Sequence, residues 1–122
     1  MKVLVDSSVW IDHMRLKSKA LVELLVDKRV VTHTYIMFEL ASGNLGKNWA
    51  QILFDLSLLE RPAQSTEAEL LDFMKTTKIM GHGLSFVDIE LLWAAMSANC
   101  RLWTRDKKLN LFCKKYSCGF DI

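Results

Sequence analysis

The sequence is short of proline, cysteine and net charge, and each shortage narrows what it can be. Its one proline, Pro62, stands alone, and no repeat or low-complexity stretch marks a linker. The 122 residues are therefore read as a single domain, 1–122, large enough for one core and too small for two. No apolar run approaches 18 residues, which excludes a bilayer-spanning helix. The opening Met1-Lys2-Val3-Leu4-Val5-Asp6 is broken by an acid too early to form the core of a secretion signal. The expected location is thus the cytoplasm, with no membrane partner. Cys100, Cys113 and Cys118 are odd in number and show neither a CxxC pair nor a Cys/His spacing suited to zinc, so reduced thiols are expected. A formal charge of +2 is too small for a protein that coats nucleic acid.

What is present is an ordinary globular balance, 51% hydrophobic and 25% charged, with the charge unevenly spread. Residues 101–118 carry Arg101, Arg105, Lys107, Lys108, Lys114 and Lys115 against the single acid Asp106, whereas residues 54–74 are mostly acidic. This pattern fits either a basic face beside an acidic one or simply solvated helix faces.

Strand and helix signals alternate along the chain. Lys2-Val3-Leu4-Val5 reads as a strand buried on both faces, ended by the capping residues Asp6-Ser7-Ser8. Helical spacing follows through Val9 and Trp10, and again through Leu21, Leu24 and Leu25. Arg29–His33 reads as a second strand, and Thr34 onward as a helix stopped at Ser42-Gly43-Asn44. A helix through Trp49, Leu53 and Leu56 is expected to end near Pro62, and Thr66-x-x-Glu69 forms a capping box for the next. Ser85-Phe86-Val87-Asp88 opens another helix, Arg101–Thr104 reads as a strand, and a helix bears Leu109 and Phe112. Gly119–Ile122 is expected to add a last short strand. The alternation predicts an α/β fold, a three-layer α/β/α sandwich around a central parallel sheet.

Such sheets place ligand sites beyond the carboxyl ends of their strands. Asp6 directly follows the first strand and Asp106 lies two residues past the strand ending at Thr104, so both belong to that rim. Glu39 falls in the helix after the second strand and Asp88 in the first turn of the helix before the last. Four carboxylates at one place repel unless a cation or bound protons neutralise them. Hard oxygen donors suit Mg²⁺ or Mn²⁺, which can polarise a phosphodiester and acidify an attacking water. Against this stands a purely structural role, because Asp6, Asp88 and Asp106 all occupy positions where a carboxylate caps a helix.

Four stretches in order resemble the motifs of PIN-domain ribonucleases of the VapC toxin type. Val3–His13, with Asp6-Ser7-Ser8, resembles the opening motif, and Thr32–Gly43, with Phe38-Glu39-Leu40, the second. Gly83–Asp88 with Leu91-Leu92 is similar to the third, and Leu102-Trp103-Thr104-Arg105-Asp106-Lys107-Lys108-Leu109 to the fourth. The resemblance implies a PIN-like fold and a metal-dependent endoribonuclease. Its ligand set for Mg²⁺ or Mn²⁺ would be Asp6, Asp88 and Asp106, with Glu39 completing the shell or orienting the water. It also implies supporting hydroxyls at Ser7 and Thr104, an RNA substrate, a cognate antitoxin and a homodimer. Arg15, Arg105 and Lys107 are the candidates for holding the RNA backbone. Two positions depart from the pattern: Phe38 stands where relatives often carry glycine, and Thr34 where they often carry proline.

Other readings make different demands. A phosphoacceptor receiver domain needs paired acids after its first strand, and a DxD phosphatase needs an acid where Ser8 stands. A non-catalytic binding module predicts a broken acid set, whereas all four matching positions here are acidic. A PIN-like RNA-processing nuclease outside any toxin pair stays open. His13, His33 and His82 lack a spacing that suggests a metal or general-base pair, and Trp10, Trp49, Trp93 and Trp103 are expected to fill the core.

Overall fold

Strand β1 (Val3–Val5) is fully buried along its whole length, although successive residues of a strand face opposite ways. Both faces of the sheet are therefore covered, as the apolar run demands. The computed structural model describes residues 1–121. After β1 come helices α1 (Ser7–Arg15) and α2 (Lys19–Val26), strand β2 (Val30–Val31), and helices α3 (Thr34–Ala41), α4 (Trp49–Ser57), α5 (Glu67–Thr77) and α6 (Phe86–Ser97). Strand β3 (Arg101–Trp103) and helix α7 (Lys107–Lys115) follow. The strands are parallel in the order β2-β1-β3, with Val3 opposite both Val30 and Arg101. This is the α/β architecture read from the alternation.

The strands are shorter than the apolar runs suggest, and the sheet grows at its edges by single bridges. Glu60 pairs with Val31, a contact no local pattern announces, and Gly119 pairs with Leu102. The last of these stands where a strand over Gly119–Ile122 was expected; Ile122 lies outside the described residues.

Helix starts follow their side-chain chemistry. Thr66 Oγ1 accepts from the Glu69 N–H while the Glu69 carboxylate accepts from the Thr66 N–H, so both orphan donors are satisfied. Ser85 and Asp88 form the same reciprocal pair at α6. The chain leaves α5 through Lys78 at φ 54° and turns at Gly81 and Gly83, whose φ values of 79° and 82° strain any other residue.

One core cluster joins the strands to Leu21, Ile36, Leu40, Leu91, Leu92 and Leu109. Trp10 and Trp103 belong to it, but Trp49 does not. It is 45% exposed and lies over the end of α3, its indole N–H donating to the Ala41 carbonyl at 2.8 Å. The three cysteines are free and buried. Among the described residues no helix is long and apolar enough to cross a membrane.

Candidate active site on the carboxyl rim of the sheet

The chain leaves the central strand β1 toward β2 on one side and later returns to β3 on the other. The switch point of the sheet, where such folds place ligand sites, therefore lies beyond the carboxyl ends of β1 and β3. Asp6 sits there, 7% exposed. It occupies the N-cap position of α1 yet makes no side-chain capping bond. Its Oδ2 instead accepts from two hydroxyls, Ser8 at 2.8 Å and Thr104 at 2.7 Å.

Those hydroxyls are themselves oriented. Ser8 Oγ accepts from the Arg105 N–H at 3.0 Å and Thr104 Oγ1 from the Asp106 N–H at 3.0 Å. With a backbone amide on its lone pairs, each hydroxyl directs its single proton at Asp6. Two donors on one oxygen hold the rotamer of Asp6.

The other acids are reached from three more elements. Glu39, on the solvent face of α3, accepts from Ser7 Oγ at 3.1 Å. Desolvation raises its pKa above the ordinary range, and the charges of Asp6 and Asp88 push the same way, against the lowering effect of the Ser7 bond. The Asp88 pKa is also raised, first by desolvation and further by repulsion from Asp106 and Asp6, while its bonds to Ser85 oppose the shift. Asp106, exposed at the start of α7, caps that helix by accepting from the Leu109 N–H at 3.0 Å. The structural roles expected for Asp88 and Asp106 are thus present, whereas the one expected for Asp6 is not.

In all four carboxylates one oxygen is engaged by the protein: Asp6 Oδ2, Glu39 Oε1, Asp88 Oδ2 and Asp106 Oδ1. The second oxygen of each accepts no hydrogen bond from the described residues. The donor set is all oxygen, which suits a hard divalent cation. The fit is that of an open shell. Among the described residues no three His, Cys, Asp or Glu side chains close into a ready-made metal cage, so the expected convergence of ligands is realised only as a shared rim. Mg²⁺ needs no closed cage, because it keeps several waters and takes one or two carboxylates directly.

Of the basic candidates, Arg15 and Arg105 line one hollow of about 460 Å³ with Asp12, Leu16, Lys17 and Ser18. Arg105 pairs with Asp12 at 3.4 Å and lies over the Trp103 ring at 5.8 Å. The ion pair is about half exposed, so it holds the guanidinium weakly. Lys107 is exposed on the first turn of α7 and is not among the residues lining that hollow.

Ser8 is a site residue that the sequence reading passed over. A second group it missed is the buried pair His33 and Glu90 with the half-buried Ser65. His33 Nδ1 accepts from the Tyr35 N–H at 3.0 Å, which leaves the proton on Nε2 to be donated to Glu90 at 3.0 Å. Glu90 also accepts from the N–H and the hydroxyl of Ser65. Glu90 points away from Asp88 on the helix, and the signal for its burial was its place within Ile89-Glu90-Leu91-Leu92. The other histidines have local roles: His13 Nδ1 accepts from the Ser18 N–H, and His82 packs against Phe112.

No protein-family model matches the chain. It is 39% identical over 114 residues to Ribonuclease VapC32 of Mycobacterium tuberculosis, from strain CDC 1551 / Oshkosh and equally from strain ATCC 25618 / H37Rv; the match covers 91% of this chain and 90% of each relative. Among solved structures it resembles PAE2754 from Pyrobaculum aerophilum with a TM-score of 0.62 and 21% identity, over 91% of this chain and 85% of that one. This second likeness concerns the fold alone.

Proposed function

The chain belongs to the VapC family of PIN-domain ribonucleases, and from that premise we propose that it is a toxin that hydrolyses RNA phosphodiesters at the rim of Asp6, Glu39, Asp88 and Asp106, with Mg²⁺ or Mn²⁺ as cofactor. The observation that carries the reading is Asp6. A buried carboxylate at an N-cap position that caps nothing, and is instead aimed by two hydroxyls, is built for something other than helix stability.

Asp6, Asp88 and Asp106 are the residues that would hold the ion, with Ser8 and Thr104 fixing Asp6 and Ser7 fixing Glu39. A divalent ion held there supplies positive charge to the phosphodiester and lowers the pKa of the attacking water. Glu39, made more basic by its desolvation, orients that water and takes up its proton. Arg15 and Arg105 hold the backbone on one side of the scissile phosphate, with Lys107 at the start of α7 as a further contact. The cytoplasmic partners of this reading are a cognate antitoxin that blocks the rim and a second copy of the chain.

Induced expression of the wild-type chain should arrest bacterial growth, and the purified protein should cleave RNA with Mg²⁺ and not with EDTA. Asp88→Asn, which can still accept from Ser85, should abolish both effects at equal soluble protein. Equal toxicity and cleavage from the two proteins would remove Asp88 from the site.

A further inference from the structure

Two large rings beside the carboxylates have no part in the core. Phe38 is 63% exposed and Phe86 61% exposed. Phe38 precedes Glu39 in the chain, and Phe86 stands in the first turn of α6 with Asp88. On α3 the core takes Ile36 and Leu40, while Tyr35, Phe38 and Glu39, at i, i+3 and i+4, share the outer face.

Phe86 is held rather than loose. Phe86 meets Tyr35 edge to face, with centroids 5.9 Å apart and planes at 83°. Tyr35 in turn leans on His33 at 5.0 Å, and His33 is locked by the buried Glu90. Phe86 and Tyr35 are therefore anchored to the core, which lowers the entropy cost of binding against them.

Charge brackets this surface. At the start of α3 the exposed Arg61 donates from Nη1 to Thr34 Oγ1 at 3.2 Å. Thr34 and Glu39 are five residues apart, about 7.5 Å along the helix axis. The order along the axis of α3 is cation, rings, carboxylate. A flat π-face between a phosphate-binding cation and a phosphodiester-cleaving rim fits a nucleobase better than a peptide side chain.

Resting on the ribonuclease reading above, we propose that Phe38 and Phe86, the latter backed by Tyr35, offer stacking faces to the RNA base adjoining the scissile phosphate, with Arg61 on a phosphate farther along the strand. Every base has a π-face, so these rings position the strand and favour bases that stack well without reading their edges.

The test pairs protein rings with RNA bases. Binding to a single-stranded oligoribonucleotide is measured in the Asp88→Asn background, with Mg²⁺, for the intact strand and for strands carrying one abasic nucleotide at each position in turn. The same measurements are made with Phe38→Leu, Phe86→Leu and Phe38→Trp added. One abasic position next to the cleavage site should weaken binding by roughly fivefold to a hundredfold. The Leu variants should weaken binding of the intact strand by a similar factor and become indifferent to that abasic position, while Phe38→Trp keeps the sensitivity.

The Mg²⁺-induced rise in Tm should stay the same in the Leu variants made on the wild-type acid set. If the wild type cleaves RNA but the Leu variants bind intact and abasic strands as their parent does, the stacking role is refuted and the nuclease reading stands. If the Leu variants instead change only self-association, followed by sedimentation, the rings belong to a contact between copies and the proposal is equally refuted. If the wild type neither binds nor cleaves RNA, both readings fall.

Discussion

Asp6→Asn separates a metal ligand from a structural acid. Asn fills the same volume, and its amide oxygen can still accept from Ser8 and Thr104. Without metal, two hydrogen bonds to a charged acceptor, worth about 1.5–3 kcal/mol each, become neutral bonds worth about 0.5–1.5 kcal/mol, a loss of about 2 kcal/mol in total. Relief of the repulsion that Asp6 exerts on Glu39 and Asp88 opposes this loss. Unfolding entropy of about 2.1 cal/mol/K per residue makes 1 kcal/mol equal to about 4 °C in Tm for a 122-residue chain. The metal-free Tm of the variant should therefore fall by less than about 8 °C.

Mg²⁺ at a hundredfold excess over its dissociation constant should stabilise the wild type by about 2.7 kcal/mol, or about 10 °C. The variant should show little of that rise. Melting curves of both proteins in EDTA and in Mg²⁺, followed by circular dichroism, make the comparison. An equal Mg²⁺ shift in the two would show that Asp6 does not hold the ion, and the central observation behind the proposed activity would lose its meaning.

Other perturbations test the surroundings. Glu39 and Asp88 hold their protons above their ordinary values of 4.5 and 3.8, so the native state binds more protons than the unfolded chain. Their contribution is fully present below those values and is lost as pH rises through the raised native ones. In EDTA the Glu39→Gln/Asp88→Asn protein should thus gain on the wild type as pH rises above about 4, and parallel Tm–pH curves would refute the desolvation and repulsion that raise the two acids. Glu90→Leu strands the buried donor of His33, at about 1–3 kcal/mol, and frees the half-buried Ser65, so it should lower Tm by about 4 °C or more; a neutral result would deny the network its role. Arg105→Ala with Lys107→Ala should weaken RNA binding and flatten its salt dependence by up to ~0.7 per lost phosphate contact, and an unchanged slope would place the strand elsewhere.

The sequence determined those features whose cause lies within a few residues. The apolar run of β1, the capping boxes Thr66/Glu69 and Ser85/Asp88, and the apolar face of α2 are local signals, and the structure has each where the pattern put it. Strand–helix alternation fixed the α/β class, and with it the rim on which Asp6 and Asp106 stand. Only the tertiary structure decided what meets there. Ser7 reaches Glu39 across 32 residues, Arg105 reaches Ser8 across 97, and His33 reaches Glu90 across 57. Such pairings leave no periodicity, because they arise from how neighbouring strands and helices abut rather than from how one element repeats. The same reason hid the bridge at Glu60 and the exposure of Trp49. The sequence could show an acid capable of capping at Asp6, but its departure from that role depends on Thr104, brought alongside by the pairing of β1 with β3.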